Sequence, residues 1–398
     1  MQTTIARIFK RGVAEVIVEE ELRQMMERGT PLRLKEGFDP SRPDIHLGHV
    51  VTLRKLKQFQ ELGHKVILIV GDWTAQIGDP SGQSQKRSMM TADEVKANAE
   101  TYMRQFFKIV DPEKTEVRWQ SEWFGKFDLA DVIKLTSKFT VAQMMSREDF
   151  SARQETNQPI AVTELLYPLL QAYDSVMIES DVEFGGIDQK FNCLVGRELQ
   201  RMVGQTPQHV FFTHLLVGMD GQMKMSKSLG NDIAVEDPPN EMYGKVMSIS
   251  DELIMDYFEL LTDVDDEELS EFKEALEGDS VNPMEIKKRL AREIVIQFHD
   301  EASAKEAEWH FAHVFQEQNI PEEIPVFTIQ SSGDSADLID VVVESGLVES
   351  RGEAKRLLRQ NAVEVDGETV TDASTKVQDG NVIKVGKRRW ARVMAEEN

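Results

Sequence analysis

The stretch from Leu32 to Val70 limits what this chain can fold into more than any other. Leu32 to Phe38 reads as a strand, and Asp39-Pro40-Ser41-Arg42-Pro43-Asp44 follows as a rigid, turn-rich loop. Beyond His46-Leu47-Gly48-His49, the residues Val50, Leu53, Leu56 and Phe59 recur every three positions, which predicts a helix ended by Gly63. Val66-Ile67-Leu68-Ile69-Val70 is then apolar without a break, as a parallel strand covered on both faces should be. Strand, loop, helix and strand in this order make the βαβ unit of a doubly wound sheet, where ligands sit beyond the carboxyl ends of the strands. Two polar loops fall at such ends, Asp39 to His49 and Gly71 to Arg87. The second contains Gly78-Asp79-Pro80-Ser81-Gly82, which offers backbone N–H groups and a carboxylate, although a plain surface turn has the same composition.

Residues 5 to 29 read as one amphipathic helix stopped by Gly29. From Thr91 to about Lys126 the pattern is helical, with a short apolar stretch at Val117-Arg118-Trp119. Leu129 to Phe150 continues as a helix whose Val132, Leu135, Phe139, Val141, Met144 and Met145 suit a core or one half of a two-fold interface. Further on, Tyr167, Gln171 and Asp174 are spaced by four and three, so they share one helical face. A phenol, an amide and a carboxylate there can converge on a small polar ligand, or can satisfy one another. Gly185-Gly186-Ile187-Asp188-Gln189 again places polar groups after glycines, which let a backbone approach a ligand closely. Val210-Phe211-Phe212 reads as a last strand, and Leu215-Leu216-Val217 precedes Lys224-Met225-Ser226-Lys227-Ser228. That loop carries two ammonium groups and two hydroxyls, suited to closing on a phosphate, although a solvated lysine loop is the alternative.

At 398 residues the chain has room for two to three domains. Sheet signals stop after about Ala234, residues 240 to 318 are helical, and a small unit of two helices and short strands begins at Ala336. Within it, Arg351, Lys355, Arg356 and Arg359 lie on one helix, while Lys387, Arg388, Arg389 and Arg392 lie near the end. A net charge of −24 repels nucleic acid at long range, so any RNA contact must come from such a local basic patch. The single Cys193 excludes an internal disulfide or a multi-cysteine zinc site, and His310 and His313 have no partner pattern for a metal. Neither a signal peptide nor a bilayer-length apolar run is visible, so the expectation is a cytoplasmic protein with no membrane contact.

Five landmarks in order, GFDPSRPDIHLGH, GDPSG, YPLLQAYD, GGIDQ and KMSKS, resemble the bacterial tyrosyl-tRNA synthetases, members of the class I aminoacyl-tRNA synthetases. The tail resembles an RNA-binding domain shared with a small-subunit ribosomal protein. The resemblance implies an α/β fold with a Rossmann-like parallel-sheet catalytic domain over residues 1–234. It includes a connective and dimerisation segment at about 91–165 and the KMSKS loop at 224–228. An all-α domain at 235–325, a linker at 326–335 and a small α+β RNA-binding domain at 336–398 would follow. The implied reaction joins L-tyrosine to tRNA(Tyr) by way of tyrosyl-adenylate, with ATP as substrate, Mg²⁺ on the pyrophosphate and a homodimer as the working form. Tryptophanyl-tRNA synthetase is the nearest rival, and an RNA-binding relative without catalysis is another.

The same resemblance assigns roles residue by residue. His46, His49, Lys224, Lys227 and Ser228, assisted by Ser226, would stabilise the phosphates. Asp39, Gly48, Arg87, Gly186, Asp188, Leu216 and Val217 would meet the rest of ATP. Thr74, Asp79, Tyr167, Gln171, Asp174 and Gln189 would surround tyrosine, with Asp174 facing the phenol. Arg351, Lys355, Arg356, Arg359, Lys387, Arg388 and Arg389 would meet RNA. Two positions depart from the pattern of many relatives: Gln83 stands where some have lysine, and Lys35 where many have a tyrosine that contacts the substrate hydroxyl, though one subgroup resembles this chain there.

Overall fold

The computed structural model describes residues 2–41, 43–80, 90–278, 280–318, 325–329, 335–386 and 389–395. They form two compact units, Met1–Glu308 and Trp309–Asn398. In the first, α1 (Gln2–Ile8), β1 (Val13–Ile17) and α2 (Glu19–Glu27) precede the β2 (Arg33–Phe38), α3 (Leu47–Glu61), β3 (Lys65–Val70) unit legible in the sequence. A short α4 (Thr74–Ile77) and α5 (Ala92–Phe106) lead to β4 (Thr115–Trp119). Then come α6 (Ser121–Phe124), α7 (Leu129–Thr136), α8 (Val141–Met145), α9 (Glu148–Glu155) and the long α10 (Val162–Met177). Strand β5 (Val182–Gly186), α11 (Lys190–Met202) and β6 (His209–Thr213) complete the sheet.

The six strands run in the order β1-β6-β5-β2-β3-β4. All neighbours are parallel except β1, which adds antiparallel to β6. The chain winds outward from β2 in both directions, so the crevice beyond the carboxyl ends of β2 and β5 is the topological switch point where such sheets bind ligands. Beneath it, Phe59 of α3 is fully buried against Phe9, Phe184 and Phe211, with ring centroids 5.1–6.4 Å apart.

Three expectations fail locally. Residues 5–29 are not one helix: Gly12 takes φ +67 and Val18 φ +61, and Val13–Ile17 between them pairs with the edge of β6. The apolar periodicity was counted through a strand that tertiary pairing claims. The span 129–150 is three helices, because Asp128 and Thr140 each cap a new start through reciprocal bonds with Asp131 and Gln143. Likewise, Thr115–Trp119 is an edge strand inside a stretch read as helical.

Helices α12 (Pro239–Met247), α13 (Ile254–Leu261), α14 (Asp266–Glu277), α15 (Pro283–Phe298) and α16 (Glu301–Gln318) follow, and the boundary between the two units falls inside α16. The second unit contains β7 (Val326–Ile329), β8 (Ser335–Asp337), α17 (Leu338–Glu344) and α18 (Arg351–Arg359). It continues with β9 (Val363–Val365), β10 (Glu368–Thr369), β11 (Lys376–Gln378), β12 (Val382–Val385) and β13 (Arg389–Ala395). Asp366 and Gly367, at φ +52 and +83, make the tight hairpin turn between β9 and β10. Residues 326–329, read as part of a linker, form a strand parallel to β13, and that sheet gives this short apolar segment its hydrogen bonds. No helix among the described residues is long and apolar enough to cross a membrane.

Replacing Phe59 by alanine removes the ring on which three others pack. The expected cost is about 3–5 kcal/mol, read as a lower denaturation midpoint with an unchanged denaturant slope.

Candidate active site

A cavity of about 520 Å³ opens at the switch point. One wall is the start of α3, where the two histidines cap the helix reciprocally. The N–H of Gly48 donates to His46 Nδ1 (3.2 Å), and the N–H of His46 donates to His49 Nδ1 (3.3 Å). With Nδ1 accepting, the neutral rings carry their hydrogen on Nε2, as donors for an anion at the helix N-terminus. A Cβ at Gly48 would come 2.9 Å from the His46 ring, so the cap itself demands glycine. Burial pushes both imidazoles down, and His49 to about 4; the loop lysines add to the effect.

The opposite wall is the lysine loop. Lys224 pairs with Asp188 (2.6 Å) and Lys227 with Asp44 (2.7 Å). Buried Asn231 accepts the N–H of Ser226 (2.7 Å), the N–H of Met225 reaches the Leu216 carbonyl (2.7 Å), and the Ser226 and Ser228 hydroxyls meet at 2.9 Å. Two ammonium groups are thus held over a helix N-terminus, and an incoming polyphosphate competes with Asp44 and Asp188 for them.

The interior has the opposite sign. The Tyr167 hydroxyl donates to Asp39 (2.9 Å), and the Thr74 hydroxyl donates to the same carboxylate (2.6 Å). Gln189 donates to Asp79 (2.8 Å), and buried Asn192 donates to both Gln171 (3.0 Å) and Gln189 (3.1 Å). Burial raises the Tyr167 phenol well above its usual range, and Asp39 and Asp79 add to this, so it stays neutral. Two carboxylates with a phenol and amides suit an ammonium group. Deeper, Asp174 accepts from Gln120 Nε2 (2.8 Å) and Trp123 Nε1 (3.1 Å), and burial raises its carboxyl to about 7. A carboxylate fixed by two neutral donors remains able to accept one more hydrogen, such as that of a phenol.

The chain matches the family described as tRNA synthetases class I (W and Y) over residues 26–316, and the S4 domain over residues 338–383. It is 59% identical to the tyrosine–tRNA ligase of Dehalococcoides mccartyi (strain CBDB1), across 99% of both chains. The chain belongs to the tyrosyl-tRNA synthetase family. It is also 51% identical to the tyrosine–tRNA ligase of Thermotoga maritima, across 98% of this chain and 97% of the relative. Among solved structures it resembles the tyrosyl-tRNA synthetase complexed with L-tyrosine from Archaeoglobus fulgidus. The TM-score is 0.63 and the identity 26%, across 77% of this chain and 99% of that one.

The cavity lining therefore collects most residues singled out by the family's motifs: Asp39, His46, His49, Thr74, Asp79, Tyr167, Gln171, Asp174, Gly186, Gln189, Lys224, Lys227 and Ser228. Asp188 reaches it through Lys224, whereas Gly48 lies within the cap. Leu216 and Val217 lie outside the lining, and their carbonyls accept from Met225 N–H and the Tyr257 hydroxyl. Arg87, Lys387 and Arg388 lie outside the described residues. On α18, Lys355, Arg356 and Arg359 are exposed opposite buried Ala354 and Leu358, while Arg351 pairs with Asp340 and Arg389 donates to the Leu347 carbonyl (2.6 Å). Gln120, Trp123 and Asn192 lie in none of the landmarks, and only the position of Gln120 just past β4, a strand carboxyl end, flags it; Asp44 lies within GFDPSRPDIHLGH, but its pairing with Lys227 is not legible there.

Because both half-buried imidazoles are held well below their usual range, His46 and His49 resonances are expected to show no titration step near neutral pH in the ligand-free protein. A step at about pH 6.5 for either would contradict the geometry.

Proposed function

We propose that this chain activates L-tyrosine with ATP and passes it to tRNA(Tyr). The tyrosine carboxylate attacks the α-phosphorus of ATP, pyrophosphate leaves, and the aminoacyl group moves to the terminal ribose of the tRNA. What carries the reading is one cavity with two chemistries: a buried carboxylate and an ammonium-binding set inside, and cationic and helix-terminal donors outside. Asp174 takes the phenol hydrogen, while Asp79, Tyr167 and Gln171 take the ammonium group, with Gln189 beside the carboxylate. Thr74 orders Asp39 behind them. His46 and His49 donate to the phosphates as charge develops, and Lys224, Lys227 and Ser228 close on the departing pyrophosphate. Positioning and charge stabilisation carry the chemistry, with no covalent intermediate on the protein.

Asp188 and Gly186 would hold the ribose side, with Asp39, Gly48, Arg87, Leu216 and Val217 completing the ATP site. Mg²⁺ would arrive on the triphosphate, where it neutralises phosphate charge. The catalytic region is taken as 1–234, the helical region as 235–325 and the RNA-binding region as 336–398. Exposed Lys355, Arg356 and Arg359, together with Arg351, Arg389, Lys387 and Arg388, would meet the tRNA backbone, most of them on one helix. A bacterial enzyme of translation would work in the cytoplasm. ATP–pyrophosphate exchange with tyrosine, phenylalanine and tryptophan tests the reading. Exchange is expected with tyrosine and lost in Asp174→Ala; exchange with tryptophan in place of tyrosine would overturn it.

We also propose a homodimer built on α7, α8 and the start of α10. Leu129, Ile133, Val141 and Val162 are 73, 58, 67 and 76% exposed there, an apolar surface that a partner copy would cover. Sedimentation should give a dimer, shifted to monomer by Ile133→Glu with Val162→Glu. A monomeric parent chain would refute the proposal.

A further inference from the structure

Lys35 is one of the two positions where this chain departs from the pattern of many relatives, and its surroundings say what it does. The side chain is fully buried and absent from the cavity lining. On β2 it is the Cα partner of Glu183 on β5, so the two side chains share one face of the sheet. Lys35 Nζ donates to Glu183 Oε1, to Ser175 Oγ and to the Gln171 carbonyl, each at 2.8 Å. An ammonium group has three donors, and all three are engaged, which leaves none for a ligand. Glu183 also accepts from the side chains of Gln171 (3.1 Å) and Gln208. Strands β2 and β5, helix α10 and the segment before β6 thus meet at one buried charge pair. Such a pair is seldom a gain in stability over an apolar filling, so its use must be sought elsewhere.

We propose that Lys35 and Glu183 are positioning residues for amino-acid recognition, holding Gln171 at the cavity and supplying the field in which Asp174 meets the substrate hydroxyl. The proposal rests on the assignment of that hydroxyl to Asp174. The two α10 groups that Lys35 binds bracket Asp174, one turn before it and one residue after. The charged groups acting on Asp174 are Lys35 from β2, which favours the carboxylate, and Glu183 from β5, which favours the acid. The other groups against it, Gln120 and Trp123, are neutral donors. An ionised, buried Asp174 accepts a third hydrogen beside those of Gln120 and Trp123, and phenylalanine leaves it without that donor. A protonated Asp174 tolerates phenylalanine better. Selectivity for tyrosine should therefore rise with pH as Asp174 ionises, through a midpoint that burial raises and that the opposed fields of Lys35 and Glu183 adjust.

The test is the ratio of kcat/KM for tyrosine over phenylalanine in ATP–pyrophosphate exchange, followed across neutral pH. The ratio cancels titration of ATP, pyrophosphate and the substrate amino group. Lys35→Met should move its midpoint up and Glu183→Gln should move it down, each by about one pH unit, and the double variant should fall between them. Loss of packing alone would weaken both substrates and leave the midpoint in place. An unmoved midpoint, or shifts of the same sign in both single variants, overturns the proposal. Thermal unfolding run alongside identifies a variant that does not fold, and Glu183→Gln, which keeps the side-chain shape, still decides the sign if Lys35→Met is lost. A parent enzyme whose tyrosine preference is the same at every pH would instead remove the assignment of Asp174, and this proposal with it.

Discussion

Strand β2 is hydrogen-bonded in parallel to β3 on one side and to β5 on the other, and this double pairing is what the rest of the catalytic unit depends on. Parallel strands require crossovers, so the chain must leave β2 over one face toward β3 and later return to its other edge as β5. The helices that make these crossings diverge at the carboxyl ends, and the gap between them is the cavity. Everything chemical hangs from that gap. His46 and His49 sit at the start of the helix that leaves it, Asp39 at the end of β2, Gln120 just past β4, and Gly185 and Gly186 at the end of β5.

The charge pattern follows from the same geometry. In a strongly acidic protein the cavity interior is acidic too, with Asp39, Asp79 and Asp174 facing a small volume. The cations that line the cavity lie on one loop, each held by one ion pair, to Asp188 or Asp44, that a polyphosphate can replace, while buried Arg147 and Lys35 stand behind the lining. Pairing the loop lysines with carboxylates offsets the charge of the loop itself and holds it at the cavity. The histidines avoid the same problem differently, by staying uncharged. The basic face of α18 belongs to the other unit, where Ala354 and Leu358 anchor the opposite side.

Much of this was legible in the sequence where local pattern and tertiary role agree. The uninterrupted Val66–Val70 run could only be a covered strand, and the shared face of Tyr167, Gln171 and Asp174 survived intact on α10. Val13–Ile17 was not legible, because its strand character comes from an open edge of β6 two hundred residues away. Breaks at Asp128 and Thr140 were visible as capping residues but hidden by a continuous apolar stripe, part of which packs in the core through Leu135 and Met144 while Ile133 and Val141 stay exposed. Gln120 and Trp123 escaped notice since neither lies in a motif, and only folding brings them to Asp174. Lys35 could be seen to differ from the pattern of many relatives, but its partners come from two other segments, α10 and β5, and no local pattern points to both.

The two larger sheets share one feature of connectivity: the first strand of each pairs with the last, β1 with β6 and β7 with β13. A ribosome delivers these partners far apart in time, since Val13 must wait for Thr213 and Val326 for Arg392. Until the late strand emerges, the growing sheet has an unsatisfied border and its early strand has no bonding partner. Interrupted synthesis thus yields fragments with open borders, which are prone to associate or to be degraded. Closure of each of these sheets therefore waits on its last strand, which arrives at Thr213 in the first unit and past Arg389 in the second.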